Sequence, residues 1–196
     1  KFTHCAVDRC GILKHNQKAV DFAGLQWKES DAYYISINID ESCNLRCPSC
    51  RTESILNTQG PEFDRKLMQV NHVVNMLESF DSPALIIISG NGDPLASNIM
   101  RPLLHKWRPK PQHRVRLFTN GLLLQKQLEQ NPIVNNITQF FISIDAGSAA
   151  VYEQVRQPGK FHNLIENLNF LKSVVDTTGA LVLLKFVLQK DNHADM

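Results

Sequence analysis

Five runs with β-branched or aromatic bias punctuate the chain: Tyr33–Ile39, Ala84–Ser89, Arg114–Thr119, Thr138–Ile144 and Ala180–Leu188. Their composition and period predict strands. Between them the apolar positions switch to a helical spacing, most clearly over Asp64–Phe80, where Leu67, Val70, Val73, Val74 and Leu77 mark one buried stripe. Shorter helical patterns cover Ile99–Trp107, Leu122–Glu129, Ala149–Val155 and Leu164–Val175. Strands alternating with helices predict an α/β domain of parallel strands joined by right-handed crossovers. Residues 1–30 show no strong period and read as an N-terminal extension, with the core domain over 31–196. The last strand is followed by only Gln189–Met196 and the chain starts at Lys1, so a fragment of a longer protein is expected.

Side chains alternate faces along a strand, so positions i and i+2 share a side. In the first run Ile35, Ile37 and Ile39 oppose Tyr34, Ser36, Asn38 and Asp40; in the fourth, Ile142 and Ile144 oppose Phe141, Ser143 and Asp145. The fifth sets Leu184, Phe186 and Leu188 against Leu183, Lys185, Val187 and Gln189. A doubly wound sheet, covered by helices on both faces, would show nearly continuous apolar strands. Polar faces on three strands instead predict a barrel or partial barrel, helices outside and a ligand cavity inside, with active groups toward the carboxyl ends of the strands.

Composition narrows the classes further. The 196 residues carry 21 basic and 19 acidic side chains with 43% hydrophobic content, which fits a folded domain rather than a disordered one. Near balance of charge gives no bulk basicity for nucleic acid or a membrane surface, so neither partner is expected. No apolar run approaches the roughly 20 residues of a membrane helix, and no signal segment precedes the domain, so a cytoplasmic location is the default.

The candidate chemistry follows the first strand, in Cys43-Asn44-Leu45-Arg46-Cys47-Pro48-Ser49-Cys50. Three thiols at this spacing can converge on one metal centre. Structural zinc takes four ligands, and no nearby His or Cys supplies the fourth; an iron–sulfur cube held by three thiolates would leave one iron open for a ligand. The alternatives are zinc completed by a distant His, and a non-enzymatic zinc module for interaction or nucleic-acid binding that uses Cys5, Cys10 and the triad as ligands. Cys5 and Cys10, flanked by His4 and His15, could ligate zinc or a second cluster, though such a pair is more often merely buried. The turn Ser89-Gly90-Asn91-Gly92-Asp93-Pro94, Thr119-Asn120-Gly121 and Ser143-Ile144-Asp145 each follow or end a strand. Each has an ordinary reading too: a strand-to-helix turn, a satisfied hydroxyl at Ser143, and at Asp145 a cap for the turn at Ser148.

From about Tyr33 to Asn192 these features together resemble the radical S-adenosylmethionine (radical SAM) superfamily. The resemblance implies a partial (β/α)6 TIM-like barrel, here reaching the fifth strand, and a [4Fe–4S] cluster on Cys43, Cys47 and Cys50. It implies S-adenosylmethionine chelated at the open iron and cleaved reductively to a 5′-deoxyadenosyl radical that abstracts hydrogen from substrate. Gly90, Asn91, Gly92 and Asp93 stand where the family has its Gly-Gly-Glu-Pro turn. Asn120, Ser143 and Asp145 match positions that help hold the cofactor, and Gln189 points inward by parity. Ser49 departs from the aromatic residue common before the third cysteine. An electron donor such as flavodoxin or ferredoxin is implied. The Ser-Ile-Asp strand and the ending Val187-Leu188-Gln189-Lys190-Asp191-Asn192 resemble the branch with auxiliary-cluster domains that modifies peptides or proteins; small-molecule or cofactor biosynthesis is the alternative.

Overall fold

A computed structural model describes residues 33–195. The expected N-terminal extension, with Cys5 and Cys10, lies outside the described residues. In chain order the elements are β1 (Tyr33–Ile37), α1 (Pro61–Ser79), β2 (Ala84–Ile88), α2 (Arg101–His105), β3 (His113–Thr119), α3 (Leu124–Leu128), a 3₁₀ turn (Pro132–Asn136), β4 (Ile137–Ser143), α4 (Ala149–Val155), α5 (Phe161–Thr178) and β5 (Leu181–Lys185). The five strands form one parallel sheet in the order β1-β2-β3-β4-β5. Strand order never reverses, which is the progression of a barrel wall and not of a doubly wound sheet.

The helices cover one face. Ile37, Ile86, Ile88, Val115, Leu117, Phe140 and Ile142 are buried on it, packed with Val70, Val74 and Leu77 of α1, Leu103 and Leu104 of α2, and Leu164 and Leu171 of α5. On the opposite face Ser36, Asn38 and Arg114 stand exposed. The parity reading holds for β1 and β4, whose polar positions face the side that helices leave open, and fails for β5, which is exposed on both faces.

Element boundaries moved for identifiable reasons. Helix α1 begins three residues before the expected Asp64, since Pro61 occupies its first turn, where a missing N–H costs nothing, and Glu62 and Asp64 complement the positive end of the helix dipole. Between β3 and β4 the register slips, Val115 pairing with Ile137 but Arg116 with Gln139. Thr138 is the extra residue, its hydroxyl donating to the Val115 carbonyl at 3.2 Å. This bulge lets Ile137 and Phe140 both face the core, a spacing that strict alternation forbids. Strand β5 was expected to run to Leu188 and ends at Lys185. Beyond it the Val187 N–H donates to Asp145 Oδ1 at 2.8 Å, and the Val187 carbonyl accepts from Asn192 Nδ2 at 2.8 Å, so both backbone groups leave the ladder. All five β5 residues are exposed, and the apolar face expected at Leu184 is 55% accessible rather than packed. The described residues include no helix long and apolar enough to cross a membrane.

Candidate active site

The loop from Asn38 to Gly60, leaving the carboxyl end of β1, is held by buried polar anchors. Asp40 accepts from Ser97 Oγ at 2.5 Å and from Asn57 Nδ2 at 2.7 Å. Burial alone would raise its carboxyl, but hydrogen bonds from Ser42, Ser97 and Asn57, with the Lys66 cation nearby, outweigh that and hold it below the usual range. Lys66 is itself buried and paired with Glu41. The Cys43 N–H donates to the Ile55 carbonyl at 2.8 Å, closing the loop on itself. Within it, Cys50 and Arg51 N–H groups both donate to the Cys47 carbonyl, at 2.8 and 3.0 Å, so the last two cysteines sit on one tight turn.

The β2 loop presses directly on this one. Asp93 N–H donates to the Ser42 carbonyl at 2.8 Å, and a Cβ added to Gly92 would lie 2.1 Å from that same oxygen. Only glycine allows so close a backbone crossing. Arg51 spans the two loops, its guanidinium donating to the Glu41 carbonyl at 2.8 Å and to the Asn91 carbonyl. The carboxylate of Asp93 ties in β3, its Oδ2 accepting from Thr119 Oγ1 at 2.8 Å and Asn120 N–H at 2.6 Å, while Oδ1 accepts from Leu95 N–H at 2.9 Å. Complete burial pushes the Asp93 carboxyl up despite these bonds. Asn120 in turn donates to Asn44 Oδ1 at 2.8 Å, inside the cysteine loop.

These contacts enclose a cavity of about 250 Å³ over the carboxyl ends of the strands. Cys43, Cys47 and Cys50 all line it, with Gly90, Asn91, Gly92, Asp93, Asn120 and Ser143. Burial raises the Cys43 and Cys47 thiols above their ordinary range. Among the described residues, no three His, Cys, Asp or Glu side chains form a group able to hold a single metal ion.

Two expected site residues lie elsewhere in this geometry. Asp145 does not line the cavity; it is buried at a positive φ of 53°, paired with Arg156 (Oδ2 to Nη1, 3.0 Å) and capping the β5 end through Val187. Nor does it cap the turn at Ser148. That carboxylate is Asp195, whose Oδ2 accepts from the Gly147 and Ser148 N–H groups at 2.7 and 2.9 Å. Gln189 is also outside the lining, its N–H donating to Asn192 Oδ1 at 2.6 Å.

Sequence reasoning missed Arg51 and Arg156. Arg156 lines the cavity, donates through Nη2 to the Ser143 carbonyl at 2.8 Å, and keeps a buried Nε without a partner. Nothing local marks it, because it reaches the cavity from the far end of α4. Arg51 directly follows the third cysteine, and that adjacency was a usable signal. Three thiols and two guanidinium groups, that of Arg156 with its buried Nε–H unpartnered, suit an anionic group with sulfur ligands.

The profile of the Radical SAM superfamily matches residues 37–195. The chain belongs to the radical SAM superfamily. Membership implies a [4Fe–4S] cluster and S-adenosylmethionine, and the donor set at the cavity fits both. The zinc-module alternative gives way to this assignment. An AdoMet-dependent heme synthase of Methanosarcina barkeri is 25% identical over 139 residues, covering 70% of this chain and 38% of that protein. Molybdenum cofactor biosynthesis protein 1 of Dictyostelium discoideum is 28% identical over 101 residues, covering 50% of this chain and 15% of that one. The chain thus spans well under half of these curated relatives. Among solved structures, Streptococcus suis SuiB bound to precursor peptide SuiA aligns with a TM-score of 0.48 at 14% identity, over 82% of this chain and 34% of that one. Native anSMEcpe with bound AdoMet aligns at 0.44 and 16% identity, over 79% and 43%.

Proposed function

We propose that residues 31–196 form the radical-generating core of an enzyme of small-molecule or cofactor biosynthesis, with residues 1–30 as an extension. In this reading Cys43, Cys47 and Cys50 hold the cluster, and the observation that carries it is that all three line one cavity with the Gly90–Asp93 turn. When bound, the cluster and S-adenosylmethionine supply the hydrogen-abstracting radical.

The protein's own groups do the rest. Asp93 fixes the β2 turn to β3, so the Gly90–Gly92 backbone is presented in one geometry toward the cysteines. Arg51 and Arg156 offset negative charge at the cavity wall, and the Asp145 pairing keeps Arg156 from swinging away. Asn120 bridges to the cysteine loop through Asn44, and Ser143 borders the same space. Asp145 and Gln189 act from behind, as positioning residues for Arg156 and for the segment after β5. An electron donor of the flavodoxin or ferredoxin kind completes the reaction.

Of the two substrate classes, small-molecule or cofactor biosynthesis is supported by the names of the curated relatives, heme synthase and molybdenum cofactor biosynthesis. Peptide or protein modification is the second reading, resting on the Ser143-Ile144-Asp145 strand end and the Val187-Leu188-Gln189-Lys190-Asp191-Asn192 ending. Anaerobic reconstitution with iron and sulfide, then electron paramagnetic resonance of the reduced protein with and without S-adenosylmethionine, tests the core assignment. A cluster signal that changes with the cofactor, and is absent in Cys47→Ser, is expected. Folded protein that forms no cluster would end the assignment.

A further inference from the structure

The open face of β3 and β5 carries charge that extends from the cluster cavity, where Lys185 stands, to Arg116 outside it. Between Asp93 and Glu129 the chain holds no acidic residue, yet residues 94–128 contain seven Lys and Arg. Two of them, Arg114 and Arg116, alternate with the buried Val115 and Leu117, and so face the open side. Higher on the same strand, Phe118 stacks on Phe141 of β4, ring centroids 4.5 Å apart and planes at 16°. The Arg116 guanidinium stands over the Phe141 ring at 5.0 Å and Lys185 Nζ over the Phe118 ring at 5.2 Å. Arg116 Nε donates to Gln139 Oε1 at 2.6 Å.

Among the described residues, neither Arg116 nor Lys185 joins an ion pair. The register places Leu181 beside Gln139 and Leu183 beside Phe141, so the neighbouring positions on that face are not acidic either. Ring faces fix cations without neutralising them. Two cations held this way, with donors to spare, match a carboxylate far better than a neutral or cationic group.

We propose that Arg116 and Lys185, each held over one ring of the Phe118–Phe141 stack, form two anion-recognition points along the wall, each taking a carboxylate of the substrate. The substrate is therefore an organic acid. This rests on the radical SAM core reading, in which the open face is the substrate's approach to the cavity. Lys185 and Phe118 line the cavity, whereas Arg116, midway along β3, lies outside it. The pair thus runs from the cluster site down the wall, and Arg116 is the member that separates substrate from cofactor.

The test is calorimetric titration of the full chain, anaerobically reconstituted, with benzene-1,2,4-tricarboxylate and with its uncharged trimethyl ester. Saturable binding of the acid is expected, weakened at least tenfold in Arg116→Gln and in Lys185→Gln and partly recovered in Arg116→Lys; the ester does not bind. In Arg116→Gln the cluster signal still responds to S-adenosylmethionine. No saturable binding to the unaltered chain, equal affinity in the variants, binding of the ester, or loss of the S-adenosylmethionine response along with the acid in folded Arg116→Gln would each overturn the proposal. The two readings fail separately: arginine-dependent acid binding by a chain that forms no cluster sinks the core assignment and leaves the anion pair standing. Circular dichroism of Arg116→Gln, with Arg116→Lys as the charge-conserving variant, keeps misfolding from imitating lost recognition.

Discussion

Gly92 and Ser42 meet backbone to backbone, so close that a Cβ on Gly92 would stand 2.1 Å from the Ser42 carbonyl oxygen and 2.5 Å from that of Glu41. No rotamer relieves a clash with main chain. Gly92→Ala must therefore push the β2 turn off the cysteine loop, at a cost of about 1–3 kcal/mol or more for forced overpacking. Gly90→Ala is the graded comparison, since its Cβ would meet the Asp40 carbonyl at 3.0 Å. Urea melts should rank the two, with Gly92→Ala the less stable, and iron content after reconstitution should fall in the same order. Equal stability of both variants would contradict the crossing.

Asp93 joins three segments with one carboxylate. Its Oδ2 receives two donors, Thr119 Oγ1 and Asn120 N–H, and Oδ1 receives Leu95 N–H. Asn in its place turns one oxygen into a donor that faces donors in either orientation. At least one buried N–H or O–H then loses its acceptor, which costs about 1–3 kcal/mol. Asp93→Asn should lower the urea midpoint accordingly. An Asp93→Asn midpoint equal to that of the unaltered chain would refute the arrangement.

How far these features could be read from the sequence depends on the range of the interaction behind each. Strand parity is local, so the open polar face was legible from Ser36, Asn38 and Ser143 alone. The cysteine spacing and the Gly90–Asp93 turn were legible because tight loops leave short motifs. Arg156 was not, since its role exists only once α4 brings it back to Ser143 and Asp145. The same holds for Asp145, whose polar-face position suggested a ligand while its carboxylate is taken up by Arg156 and Val187. The early end of β5 was hidden for a related reason: a side chain 42 residues away takes the Val187 N–H from the ladder.

Arg156 and Asp145 form a buried pair, their side chains only 11% and 5% exposed. Removing one partner strands the other's charge, which typically costs about 3–5 kcal/mol. Arg156→Gln and Asp145→Asn should each destabilise the chain by that order. The double variant should lose less than the sum, because neither charge is then left alone. Chemical denaturation of the four-member cycle measures the coupling, and strict additivity would mean that the two groups do not act as a pair.

His113 supplies a pH dependence whose sign is fixed by burial. The ring is 2% exposed, set between Phe80 and Trp107, with Nδ1 accepting from the Lys110 N–H at 3.4 Å and Nε2 unpartnered. Desolvation, with the Lys110 cation nearby, holds its pKa below the ordinary value of 6.5. The neutral ring is thus favoured in the folded chain, while the unfolded chain takes up a proton first as pH falls. Stability is retained above about pH 6.5 and declines below it until the folded-state pKa is reached, at no more than about 1.4 kcal/mol per pH unit for one proton. Glu41, Asp81 and Asp195, all held below the usual carboxylate range, erode stability only at more acidic pH. Melting temperatures at pH 7.5 and 5.5 should therefore differ in the unaltered chain, and the difference should shrink in His113→Phe, which keeps the aromatic packing and carries no titrating group. An unchanged pH slope in that variant would show that the buried ring is not the group responsible.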